Sequence, residues 1–374
     1  MDKLNDQSNG NIGAREFGAI IILTLSTKAT DFTTSILFED GYNAAWMIPI
    51  VSVLFLIGPL LILYKLLKEY QSKNLIELIN EILGRKIGSL IGILLLFLGL
   101  AATVFDSRSY VEIVGRLYYP QTPTIVLYSM LLGVSFYIAK HGLETIGRVA
   151  VLSFPYIKTM IVLLVVLVLK DVKWGRIFPI SGAGWTDIVQ TGFFKQSIFA
   201  DMFYFALFYP FLKNDKSFKK GGLISFGIVI VEFVFFLILY VGIFEYPTVQ
   251  QITFHFHELI RYAEIGPYFT NLETIYFIFW MVGAFIRFAI YLYMISLLFG
   301  TIFKIKEFEP LILSVSALVL LLGMLPNNLV TNSYLLWNSY LLPTISVTIP
   351  VLIFLLWGVS KIRGGLKDDH SKNF

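Results

Sequence analysis

The sequence predicts an all-α polytopic membrane protein with ten transmembrane helices, on three observations. Hydrophobic residues make up 57% of the chain and charged residues 14%, where a soluble domain carries about 25% charged residues. Apolar runs long enough to cross a bilayer recur along the whole length, with no shift of composition to mark a second domain. Lys and Arg gather in alternate connections, the pattern that orients a polytopic protein.

A crossing helix needs about 20 mostly apolar residues, since each adds about 1.5 Å. On that length the spans fall near 17–36, 44–66, 87–115, 122–139, 149–170, 193–212, 222–244, 272–303, 309–326 and 339–359. They are read as one integral membrane domain over 1–374. It has a tail at 1–16, a five-helix half at 17–170, a second half at 193–359 and a tail at 360–374. Residues 1–16 lack the apolar core of a cleavable signal peptide, so the first run is expected to be a retained span. With the N-terminus on the cytoplasmic side, nineteen of the 29 Lys and Arg fall in cytoplasmic connections or tails, six lie opposite and four lie within spans. Both termini are therefore expected inside. Trp46, Trp337 and Trp357 stand near predicted span ends, where indoles favour the headgroup region. Trp174 and Trp185 fall in the connection after span 5.

Two connections carry helical patterns of their own. Residues 71–86 put Leu75, Leu78, Ile79 and Ile82 opposite Lys73, Glu77 and Glu81, which predicts an amphipathic helix on the cytoplasmic surface. Residues 248–266 repeat Ile252, His255, Leu259 and Tyr262 in the same way. There His255 and His257 point to different faces with no further ligands in view, so a surface helix with partly exposed imidazoles is expected rather than a metal site. Cysteine is absent, which removes disulfides and thiolate sites. A net charge of +4 spread in short blocks gives no argument for nucleic acid. No catalytic constellation or nucleotide-binding loop is present, so neither an enzyme nor a cofactor is implied.

The chemistry lies in charges placed inside spans, where each costs at least about 2.5–3.5 kcal/mol and so faces a protein interior or a watery cavity. Lys28 and Asp31 interrupt span 1 within a stretch of threonines; Asp106, Arg108 and Glu112 sit in span 3. Lys158 is in span 5, Asp201 in span 6, Glu232 in span 7 and Arg287 in span 8. Arg108 and Glu112, four apart, share a helix face and are expected to pair. Lys28 and Asp31, three apart, either neutralise each other or serve a ligand. Asp201 has no opposite charge within a turn, so its partner is another helix, a ligand or a proton; nothing in the sequence pairs Lys158 or Arg287. Divided five and five, the chain places Asp31 and Asp201 in the first helix of each half. Transporters of inverted repeats break that helix around a midplane site, leaving free backbone groups as ligands.

Several stretches, in order and spacing, carry a resemblance. They are residues 74–92 (NLIELINEILGRKIGSLIG) and 105–123 (FDSRSYVEIVGRLYYPQTP), Arg148 with Phe154 and Pro155, and the loop from Pro179 to Gly184. Glu273, Trp280, Tyr291 and Tyr293 in span 8, then Pro326, Asn327, Asn328 and Tyr340, complete the set. Through residues 15–360 the chain resembles the B subunit of the spore germinant receptors (the GerAB family), itself similar to amino acid–polyamine–organocation permeases. One departure stands out: many relatives carry a Gly-x-Gly element where span 1 unwinds, and here that place reads Ser26 to Thr30.

The resemblance implies a LeuT-like, amino-acid-permease fold of five plus five inverted helices, with helices 1 and 6 broken. It also implies a nutrient-sensing subunit of the spore inner membrane that binds an amino acid or nucleoside. Its partners would be the family's A subunit and C-subunit lipoprotein. A proton-coupled or uncoupled amino acid permease, or a scaffold with a vestigial pocket, are the other readings. The residues expected to line the pocket are Thr27, Lys28, Thr30 and Asp31 from span 1, with Phe199, Ala200 and Asp201 from span 6. Tyr110 from span 3 and Arg287 from span 8 are added to these. Lys158 is expected to put an ammonium where sodium-coupled relatives hold a cation, which would favour proton linkage or no coupling at all over sodium.

Overall fold

The computed structural model describes residues 12–70, 73–180, 182, 184–263, 272–326 and 330–363, of which 330–335 by backbone alone. Most of both predicted tails, Gln71, Ser72, Ser181, Ala183, residues 264–266 and the Asn327-Asn328 pair lie outside the described residues. Within them all regular structure is helical, apart from a single bridge between Ile12 and Leu212.

Helical segments lie at each of the ten predicted spans. Span 1 is two helices, α1 (Ala14–Ser26) and α2 (Thr33–Gly41), separated by a 3-10 turn at Thr27–Ala29. Then follow α3 (Met47–Glu69), α4 (Leu75–Leu83), α5 (Arg85–Leu117), α6 (Thr124–Ala139) and α7 (Gly142–Val168). Span 6 is broken as well. It comprises α8 (Trp185–Lys195), a 3-10 turn at Gln196–Phe199, the one-turn α9 (Asp201–Tyr204) and a further 3-10 stretch to Phe211. After it come α10 (Asp215–Lys219), which passes through a π turn into α11 (Ser225–Phe244), and the connecting α12 (Thr248–Gln251) and α13 (His255–Tyr262). The chain finishes with α14 (Leu272–Phe303), α15 (Leu311–Gly323), a π-helical stretch at Val330–Leu341 and α16 (Leu342–Ile362). Six of these segments are long and apolar enough to cross a bilayer; α6 and α15 are apolar but shorter. The chain is thus an integral membrane protein.

Burial ranks the helices. The most apolar window of α14 is 83% buried and that of α7 only 17%, so α14 belongs to the centre and α7 to the lipid-facing rim. α1 is central too, with every residue from Phe17 to Ser26 buried. Local chemistry explains the ends. Asn74 caps α4 by accepting from the Ile76 and Glu77 backbone, and Glu77 returns a contact to the Asn74 N–H, a capping box. Gly84, at φ +85°, allows the turn into α5 that a side chain would resist. Asp31 caps the second half of span 1 by accepting from the Thr33 N–H at 2.8 Å.

Three expectations change here. The apolar face of α4 is fully buried against the protein itself, not the bilayer. His255 and His257 on α13 are buried, not partly exposed, because that helix folds in over the bundle with Phe256, Leu259 and Ile260. Helix 6 starts earlier than the hydrophobic run suggests, so Trp185 opens α8. Lys195, at the end of α8, is buried and paired with Asp40 at 3.2 Å and with Asn338.

Candidate functional site

The two breaks meet. Lys28, on the turn between α1 and α2, sends its ammonium to the Ile198 carbonyl at 2.6 Å and to Asp201, both at the break in span 6. The alternative pairing of Lys28 with Asp31 is not formed. Asp31 instead faces Arg287 of α14, whose Nη1 lies 2.8 Å from Asp31 Oδ2, 2.9 Å from the Tyr110 hydroxyl and 3.2 Å from Thr27 Oγ1. Nη2 of the same guanidinium lies 2.7 Å from Asp106 Oδ2. That oxygen is off the N–H direction and has no aligned hydrogen bond, so the contact is one of charge.

One guanidinium therefore ties span 1, span 3 and span 8 together while 1% exposed. A planar fork with five donors suits this better than a point charge. Counting the group, Lys28 and Arg287 face Asp31, Asp106 and Asp201: two cations against three carboxylates. Asp106, which shares its cation with Asp31, is the carboxylate left short.

Two carbonyls at the break in span 1 are met by side chains from other helices. Tyr110 donates to Thr27 O at 3.4 Å and Tyr240 to Ala29 O at 2.9 Å. Trp280 stacks on Tyr110 with ring centroids 4.7 Å apart and donates to Thr30 Oγ1. On the other flank Ser26 donates to Glu232, which also holds Lys158 through both oxygens at 2.6 Å. The partner of Lys158 is therefore Glu232 of α11. Arg108 and Glu112 pair at 3.0 Å, as their spacing predicts.

Two cavities flank the broken helix. The first, with a cavity volume of about 50 Å³, lies among spans 1, 3, 6, 8 and 10. Its polar wall includes Lys28, Asp106, Asp201, Tyr204, Tyr291 and Trp337; Met294, Ile295 and Leu298 are among its apolar lining. The Trp337 indole N–H is buried and has no acceptor among the described residues. The second cavity lies on the opposite side of span 1, against Lys158, Tyr276 and Trp280, and is mostly apolar.

The family model described as "Spore germination protein" matches residues 15–331. The chain belongs to the spore germination protein family. Among curated relatives, spore germination protein YndE of Bacillus subtilis is 24% identical over 82% of this chain and 83% of its own length. Spore germination protein GerLB of Bacillus cereus is 26% identical over 95% and 96%. Among solved structures, the crystal structure of MhsT in complex with L-phenylalanine superposes with a TM-score of 0.64. It covers 92% of this chain and 98% of MhsT at 10% identity, which shows that this family member has the LeuT-like fold.

Within that fold the predicted site residues divide. Lys28, Ala200 and Asp201 line the first cavity; Thr27, Thr30 and Lys158 line the second. Asp31, Tyr110 and Arg287 form the ion network between spans and line neither cavity among the described residues. Phe199 packs edge-on between Phe226 and Phe233, because the 3-10 turn rotates it away from the pocket. Sequence reasoning missed Asp106, Tyr204, Tyr291 and Trp337. Asp106 and Tyr291 were signalled: each is four residues from an expected member, Tyr110 or Arg287, and so on its face. Trp337 was placed at a headgroup, but it is 7% exposed and faces the cavity, because helix 10 begins nine residues earlier than its hydrophobic run.

Proposed function

We propose that the chain is the ligand-binding subunit of a nutrient germinant receptor in the spore inner membrane, with both termini on the cytoplasmic side. It has a ten-span, single-domain architecture of two five-helix halves and works beside an A subunit and a C-subunit lipoprotein. The observation that carries the reading is the first cavity, set where the two broken helices meet in a member of the spore germination protein family. Its wall offers a carboxylate short of a cation, an unanswered indole N–H and an apolar flank, which together fit an amino acid better than a nucleoside. Occupancy would act by favouring one arrangement of the helices over another, since equal affinity for both shifts nothing.

The test is thermal unfolding of the purified chain against a panel of amino acids and nucleosides, with Asp106→Asn alongside. A ligand present at about 100 times its Kd should stabilise by about 2.7 kcal/mol, and the variant should lose most of that gain for an amino acid. No stabilisation by any compound, with parent and variant alike, would remove the pocket from the proposal. The fold also serves transport, so the ligand found is offered to proteoliposomes carrying this chain alone. Binding without uptake is the expected result; uptake would make the chain a permease.

A further inference from the structure

The geometry points to a cation subsite at the break in span 6, built from the Ile198 carbonyl and the Asp201 carboxylate, that takes a primary ammonium and is filled by the chain's own Lys28. A backbone carbonyl and a carboxylate converging on one nitrogen are what a ligand ammonium would seek in a low-dielectric interior. Here the nitrogen arrives on a side chain from the other half of the fold: Lys28 Nζ lies 2.6 Å from Ile198 O and is paired with Asp201. The Lys28 side chain is 6% exposed and that of Asp201 12%. Lys28 is also part of the wall of the first cavity, so the filled subsite and the empty space adjoin.

Three physical points support an occupant rather than a plain structural pair. An ammonium has three donors; among the described residues two acceptors meet it, the Ile198 carbonyl and Asp201, which leaves one donor for a ligand acceptor. Lys28 is placed by a turn rather than a helix, so its anchor is the subsite and not its own backbone register. Removing its charge would leave Asp201 as a buried anion, which strongly favours recruiting another cation. A ligand ammonium is thereby directed away from Asp201 and toward Asp106, while the ligand's acceptor end meets Lys28 and the Trp337 N–H.

The subsite can be tested without knowing the germinant. Lys28→Ala deletes three carbons and the nitrogen, the heavy atoms of n-propylammonium. The purified variant is melted across a propylammonium series, beside the parent, the double variant Lys28→Ala with Asp201→Asn, and tetramethylammonium as a cation without donors. The expected result is a saturable rise in melting midpoint of several degrees in Lys28→Ala only, and only with propylammonium. No rise in Lys28→Ala, or an equal rise in the double variant, overturns the subsite. Should Lys28→Ala yield no folded chain, the amine is present from solubilisation onward. Recovery of folded chain in propylammonium but not in tetramethylammonium then supports the subsite, and no recovery counts against it.

Discussion

At the residue scale the centre of this molecule is Arg287. Its guanidinium lies within reach of Asp31, Thr27 and Tyr110 through Nη1, of Tyr291 through Nε and, by charge, of Asp106. Such a group is retained in an apolar core only while its carboxylates remain beside it, because desolvating an ion costs several kcal/mol. Arg287→Met should leave two buried carboxylates without their cation and destabilise the chain by about 3–5 kcal/mol. Adding Asp31→Asn and Asp106→Asn should return part of the loss. Arg287→Lys should rescue only partly, since a single ammonium cannot span the same fork. Melting midpoints of the purified variants decide it: a parent-like midpoint for Arg287→Met would mean that the network contributes nothing to stability. The charges themselves were legible in the sequence, as was the pair of Arg108 and Glu112, because helical spacing fixes neighbours within a turn. Partners for Lys28, Asp31, Lys158, Asp201 and Arg287 were not. Each lies on a different helix, and no local rule states which helix faces come together.

At the element scale the same limit separates spans from connections. Hydropathy located the helices because a segment set in lipid must present a run of apolar residues. The ends of helices 6 and 10 escaped it, since the sequence there is polar enough to resemble a loop. The connecting helix α13 was read as a surface element, yet its imidazoles are internal. The Val249 carbonyl only accepts, so His255 Nε2 carries the proton, 2.7 Å away, and Nδ1 accepts from Thr34 Oγ1 at 3.0 Å. His257 meets the Tyr118 hydroxyl and packs edge-on against Trp280. α13 thus rests on the second half of span 1 and on the ring stacked over Tyr110. Burial lowers His255 to about 4, and burial, aided by the Arg261 charge, lowers His257 to about 3. The unfolded imidazoles bind protons below about pH 6.5 while the folded ones remain neutral. The stability they contribute is therefore complete above that pH and falls as pH drops from about 6.5 toward 4, by about 1.4 kcal/mol per pH unit for each ring. Melting the parent between pH 7.5 and 5 should show the decline, and His257→Phe should make it shallower. Parallel curves for the two proteins would assign the decline to other groups.

At the scale of the whole molecule, the broken first helix is fastened to nearly every element around it. Lys28 holds it to span 6, Arg287 to spans 3 and 8, and Glu232 with Lys158 to spans 5 and 7. A ligand entering beside it thus bears on contacts shared by both halves, which is how a small molecule can favour one global arrangement. What that arrangement reports to either side depends on which way the bundle sits in the membrane. In the proposed orientation, with both termini inside, the connection between α6 and α7 lies in the cytoplasm and the one between α5 and α6 outside. The chain has no cysteine, so single substitutions make clean probes, and Gln121 and His141 are exposed at those two connections. In intact cells an impermeant maleimide should label Gln121→Cys, and should label His141→Cys only after permeabilisation. The opposite pattern would invert the molecule and turn the α13 side, with its buried imidazoles above the pocket, toward the cytoplasm.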